Sequence, residues 1–318
     1  MPFQTLKTDS AANIAIAGIV ALAAAALAWV TQERNRDYGD VRGMWSATVE
    51  QRPWNPVARN NLGLALAGDR RYSEAIRHYE AAVGMLPGFD DARNNLGIAL
   101  MQSGRPKEAI AQFESVLRRK PDFALAHNNL AIALYREGRL REAIDHCAEA
   151  LRLKPDYPEA HCNLGIALSA SGRGPEALPQ FEEALRLKPL YPEALEGSGN
   201  ALVRMRRPDE AIARFRAALN IQPDDADAHC DLGLALMSEG RTEEAVNEYK
   251  RAIGLRPGFA AAHNNLGAAL AGSGRLSEAV EHFAEAVRLQ PDFADAQQNL
   301  RLAREQLDAS SLPLSPPR

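Results

Sequence analysis

Two rows of polar side chains recur at fixed spacing, and their chemistry frames what the chain can do. Asn61, Asn95, Asn129, Asn163, Asp231, Asn265 and Asn299 stand at multiples of 34 residues, with Gly197 in the place of one. A carboxamide offers two N–H donors and a carbonyl acceptor, the complement of a peptide group, so a row of them can track an extended backbone. The same row can instead tie each structural unit to its neighbour. His127, His161, His229 and His263 recur two positions earlier. Imidazole is a common metal ligand, but units packed about 10 Å apart cannot share one ion through bonds near 2 Å. These histidines are read as packing residues, and no metal or other cofactor is expected.

Asp91, Glu159, Glu193, Asp227 and Asp295 form a third row. It suits a basic ligand, yet acids in a first helical turn also serve the helix dipole. Arg204, Arg206, Arg207, Arg214 and Arg216 cluster locally and are read as a solvated edge. Cys147, Cys162 and Cys230 cannot all pair, and Cys162 and Cys230 sit two units apart, so they are read as small buried residues. There is no nucleophile–base or paired-carboxylate pattern, and Gly172-Arg173-Gly174 falls in a turn between helices rather than after a strand. No enzymatic activity is expected.

The elements that carry these rows follow from one unit, residues 90–123, whose 34-residue pattern occurs seven times. Leu96 and Leu100 lie at i and i+4 on one face of a first helix. Gly104 ends it in a tight turn, Ala109, Phe113 and Val116 form the apolar stripe of a second helix, and Pro121 stops that one. Gly97 and Ala109 keep the two backbones close, because a larger side chain there would overpack by about 1–3 kcal/mol.

These residues resemble the tetratricopeptide repeat, with its Leu-Gly, Ala, aromatic and Pro positions. Leu-Gly recurs at 62, 96, 164, 232 and 266, with Leu130-Ala131 and Ser198-Gly199 as departures. Glu-Ala and the closing Pro occur in all seven units. The resemblance implies an all-α, right-handed superhelix of helix pairs. The asparagine row with its Asn-Leu-Gly runs is similar to the repeats of O-linked N-acetylglucosamine transferases, where such a ladder holds peptide substrates, but the catalytic domain of those enzymes is absent here. The groove lysines and arginines of chaperone-tail clamps are missing too: Asn60, Asp91 and Asn128 stand where they would be.

Units at 56–89, 90–123, 124–157, 158–191, 192–225, 226–259 and 260–293 fill most of the 318 residues. Before them, residues 1–10 are mostly polar, and residues 11–30 run without a charge for the length of a bilayer-spanning helix. Residues 11–30 are expected to anchor the chain in a membrane. A signal peptide cleaved after Ala26-Leu27-Ala28 stays open as an alternative. Arg34, Arg36 and Arg42 favour a cytoplasmic position for the repeats, whereas either kind of export segment carries them outward. A single-pass protein of a bacterial inner membrane with extracytoplasmic repeats is the expectation, with the cytoplasmic placement open beside it. This junction resembles membrane-anchored transmembrane-and-tetratricopeptide proteins, without their further spans. Residues 37–55, with Trp45 and Pro53, read as a degenerate half repeat, 294–308 as a capping helix, and 309–318 as a disordered Ser- and Pro-rich tail.

With 37 basic against 41 acidic residues and a net charge of −4, the chain does not suit general nucleic-acid binding. The expected function is a non-catalytic scaffold that binds extended segments of a protein partner in its groove. The alternatives are a substrate-recognition subunit for a separate glycosyltransferase and a structural spacer. The candidate peptide-binding residues are Asn61, Asn95, Asn129, Asn163, Asp231, Asn265 and Asn299.

Overall fold

A computed structural model describes residues 41–311, and among these the chain is helical, with no strand. It divides into two compact units that meet at Pro121 and Asp122. The first holds α1 (Val41–Gln51), α2 (Pro56–Gly68), α3 (Tyr72–Met85), α4 (Asp90–Gln102) and α5 (Pro106–Arg119). The second holds α6 (Ala124–Arg136), α7 (Leu140–Leu153), α8 (Pro158–Ala170), α9 (Gly174–Leu187), α10 (Pro192–Arg204) and α11 (Pro208–Ile221). It continues through α12 (Ala226–Ser238), α13 (Thr242–Leu255), α14 (Ala260–Gly272), α15 (Leu276–Leu289) and α16 (Ala294–Ser311). The expected membrane span at 11–30 lies outside the described residues. Among the described residues no helix is long and apolar enough to cross a membrane.

Each 34-residue repeat is one helix pair, and its close crossing has a specific cause. The glycine at the eighth position of the first helix lies under the aromatic ring sixteen residues later on the second. A Cβ added to Gly97 would sit 2.5 Å from the Phe113 ring, and the same holds within 2.5–2.8 Å for Gly63–Tyr79, Gly165–Phe181, Gly199–Phe215, Gly233–Tyr249 and Gly267–Phe283. These rings are buried, as are the alanines of the Glu-Ala pairs from Ala75 to Ala279. The third repeat breaks both halves of the rule together. Where glycine becomes Ala131, the ring becomes Cys147, and both are buried.

The turn between the paired helices needs one residue with left-handed backbone. Gly104, Gly138, Gly172, Gly240 and Gly274 supply it without strain, whereas Arg70 (φ 58°) and Arg206 (φ 57°) adopt it at a cost of about 1–2 kcal/mol. Just after this turn every second helix opens with an arginine that grips the glutamate three residues on, from Arg71–Glu74 (2.6 Å) to Arg275–Glu278 (2.6 Å). These pairs are exposed and screened by solvent, so each contributes little by itself. They give the Glu of each Glu-Ala pair its partner. Proline begins α2, α8 and α10 at the first turn, where its missing N–H is no loss. The last helix runs on to Ser311, beyond the cap expected at 294–308, so residues 309–311 are helical rather than part of a disordered tail. No proline interrupts the chain until Pro313. The rest of that expected tail lies outside the described residues.

Candidate functional site

The asparagine row lies on the first helices, half-buried, and its amides make the tie between neighbouring repeats that the sequence leaves open beside peptide binding, through a partner that the sequence does not point to. The sixth-position amide of one repeat donates to the fifth-position oxygen of the repeat before it. Asn95 Nδ2 reaches Asn60 Oδ1 at 3.0 Å, Asn163 Nδ2 reaches Asn128 Oδ1 at 2.9 Å, and Asn299 Nδ2 reaches Asn264 Oδ1 at 2.9 Å. Asn265 makes the same reach to Cys230 Sγ at 3.6 Å. Asn61 accepts from Asn60 Nδ2 at 3.2 Å in the first repeat, and Asp231 accepts from Asn200 Nδ2 at 2.9 Å in the sixth. Asn129 is half-buried at the equivalent place on α6. At Gly197 the row is interrupted because a Cβ there would lie 2.6 Å from the Phe181 ring.

One N–H of each bridging amide is therefore used by the stack, while the second N–H and the carbonyl oxygen of Asn95, Asn163 and Asn299 remain for another peptide group. The fifth-position partners Asn60, Asn128 and Asn264 are buried. They were legible only as the first letter of repeated Asn-Asn pairs.

Three residues after each amide, on the same face by helical spacing, stands a ninth-position side chain that is mostly aliphatic. Leu64, Ile98, Leu234 and Leu302 are exposed there, and Ile132 and Ile166 are half-buried. Between α6 and α8 this face opens into a pocket of about 210 Å³ with Asn163 among its lining residues.

The acidic residues gather further along the second unit. Glu196 is half-buried near Asp225, Glu193, Asp231 and Asp227, and desolvation, then these carboxylates, push its carboxyl up to about 7. Asp231 is also shifted upward by burial. Arg256 offsets part of this charge by pairing with Asp227 at 2.5 Å.

The histidine row has a different task. The fourth-position side chain ties the start of its helix to the proline carbonyl that closes the repeat before: His161 Nε2 to Pro155 at 3.0 Å, His229 Nε2 to Pro223 at 3.0 Å and His263 Nε2 to Pro257 at 3.3 Å. Arg59, Arg93 and Gln297 make the same tie. The other ring nitrogen meets the second helix, as in His161–Gln180 (2.9 Å), His229–Glu248 (2.6 Å) and His127–His146 (2.9 Å). Among the described residues no three His, Cys, Asp or Glu side chains converge on a metal position. A larger depression of about 660 Å³ lies between the second helices of the fifth and sixth repeats. Its arginines are paired, Arg216 with Glu244 and Arg251 with Glu248, each at 3.0 Å. All three cysteines are buried and free, and burial pushes the Cys147 and Cys162 thiols up to about 12.

Similarity to known proteins agrees with this architecture. A chain of the APC/C hetero-tetramer Cut9–Hcn1 superposes with TM-score 0.70 at 19% identity over 83% of this chain, which spans only 52% of that one. A tetratricopeptide repeat protein from Parabacteroides merdae superposes with TM-score 0.62 at 16% identity, covering 82% of this chain and 98% of its own. The type IV pilus biogenesis factor PilW does so with TM-score 0.62 at 22% identity, covering 66% and 98%. At these identities the likeness is one of fold. No curated relative matches the sequence. The sequence pattern of the tetratricopeptide repeat, by contrast, matches residues 20–90, 94–158, 162–228, 197–259 and 230–294. With most of its length accounted for in this way, the chain belongs to the tetratricopeptide repeat family.

Proposed function

We propose that the chain is a non-catalytic adaptor that holds an extended peptide segment of another protein against the face carrying the asparagine row. Tetratricopeptide repeat proteins generally mediate protein–protein interaction, and one observation carries the finer reading. Within each unit, amides with hydrogen-bonding capacity left over stand three residues from aliphatic side chains exposed to solvent, as in Asn95 with Ile98 (38% exposed). An extended strand presents main-chain N–H and C=O groups together with alternating side chains, and this pairing meets both. Such a surface reads main chain more than sequence, which suits an adaptor.

The test presents a random 12-residue displayed-peptide library to the immobilised full-length chain and to Ile132→Arg/Ile166→Arg. That variant crowds the face without removing an inter-repeat bond. Retention by the wild type and at least tenfold lower retention by the variant, at equal helicity, is the expected result. Equal retention by both, or none by either, overturns the peptide-binding reading and leaves a structural spacer. We also propose that residues 11–30 anchor the chain to a membrane. Alkaline carbonate extraction should leave the full-length chain in the pellet, and its release into the supernatant overturns the anchor.

A further inference from the structure

The pocket between α6 and α8 exists because the third repeat lacks a ring. In the other six repeats a Tyr or Phe from the second helix lies on the glycine of the first and fills the space between them. In the third repeat that space is bounded by Ala131, Ala143 and Cys147, all buried. Ile132, Tyr135 and Ile166 stand around it, the exposed Arg136 side chain lines its outer rim, and the Asn163 amide lies at its edge. Its volume is about 210 Å³. An apolar cavity of about 150 Å³ is enough to hold a benzene ring. Burial keeps the Cys147 thiol protonated, so the floor carries no charge.

The charge along the same unit sets the other end of the occupant. Two repeats further on, Glu196 lies near Asp225, Glu193, Asp231 and Asp227, and the Arg256 guanidinium is engaged by Asp227 and lies near Asp225. Two helix-packing steps cover about 20 Å, which is about six residues of extended chain.

Resting on the peptide-binding reading above, we infer that the partner segment places an aromatic side chain in the pocket between α6 and α8. Its main chain runs past Asn163, and a lysine or arginine about six residues away meets the acidic groups of α10 and α12. The partner thus supplies the ring that the third repeat omits. Volume and the apolar floor of Ala131, Ala143 and Cys147 select the aromatic residue, and charge complementarity selects the basic one.

The deciding variant is Ala131→Gly/Cys147→Phe, which gives the third repeat the pair found in the other six and so is expected to fold. The same peptide library is selected on the full-length wild type and on this variant, and retained peptides are sequenced. The wild type should enrich Phe, Tyr or Trp at one position with Lys or Arg about six positions away. The variant should lose the aromatic enrichment, and a wild-type-selected peptide should bind it roughly ten- to a hundredfold more weakly, as expected for expelling one buried ring. Ile166→Arg, at the pocket rim, gives the same readout if the double variant is unstable. Retained peptides without aromatic enrichment, or aromatic enrichment that persists in both variants, overturn this inference while the peptide-binding reading stands. No retained peptide overturns both.

Discussion

Gly97 and Phe113 offer the sharpest test of the packing rule, because the third repeat already contains the compensated pair. In Gly97→Ala the new methyl would sit 2.5 Å from one ring carbon of Phe113 and 2.6 Å from the next. Phe113 is fully buried and cannot swing away. Overpacking of this kind costs about 1–3 kcal/mol, and the better helix propensity of alanine returns about 1 kcal/mol, so the single variant should lose up to about 2 kcal/mol. Phe113→Cys alone opens a cavity and should lose about 3–4 kcal/mol, somewhat less than truncation to alanine. In the double variant the clash is gone and the helix gain remains, so its loss should fall short of the sum by about 1–3 kcal/mol. Urea unfolding followed by circular dichroism gives the cycle. Hydrogen exchange in α4 and α5 is needed beside it, since repeat arrays can open locally and a single midpoint can mislead. Losses that add within about 0.5 kcal/mol would show that ring and glycine do not constrain each other.

Other outcomes follow from single contacts. Asn95→Ala leaves the buried Asn60 oxygen without its inter-repeat donor, so urea unfolding should show a loss of about 1–3 kcal/mol; an unchanged midpoint would mean that the amide does not join the repeats. Arg206→Gly relieves the left-handed backbone of the fifth repeat's turn and should stabilise by up to about 1 kcal/mol after the greater freedom of glycine in the unfolded chain is allowed for, an expectation that a lowered thermal midpoint contradicts. Glu196 has its folded-state carboxyl pushed from the ordinary 4.5 up to about 7, so the folded state holds a proton that the unfolded chain has released. The wild type should lose stability as pH rises from about 4.5 to 7 and level off above that. Glu196→Gln should remove that part of the slope, being more stable than the wild type at pH 8 and equal to it below about pH 4.5, and superimposable profiles would refute the shift.

Much of the fold could be read from the chain because its determinants are local. Leu96, Gly97, Gly104, Ala109, Phe113 and Pro121 lie within 26 residues of one another, and each specifies a helix face, a turn or a stop. The arginine that pairs with the glutamate of each Glu-Ala is equally local, three residues before it. The fifth-position partners are not, since Asn60 and Asn95 are 35 residues apart and meet only when one repeat is laid on the next. The exchange of glycine and ring for Ala131 and Cys147 belongs to the same class. In sequence it is two separate departures, and only the crossing of two helices turns it into one compensated change with a pocket beside it.

The same geometry alters what the asparagine row means. Structural strut and peptide ligand look like rivals while the amide is treated as one group, but it has two N–H donors and an acceptor oxygen, and the stack uses one donor. Asn163 can therefore hold Asn128 and still face a bound strand. Removing it would lower stability and binding together, so its loss alone cannot separate the roles. Ile132 and Ile166 can, because they share the face and contribute no bond between repeats.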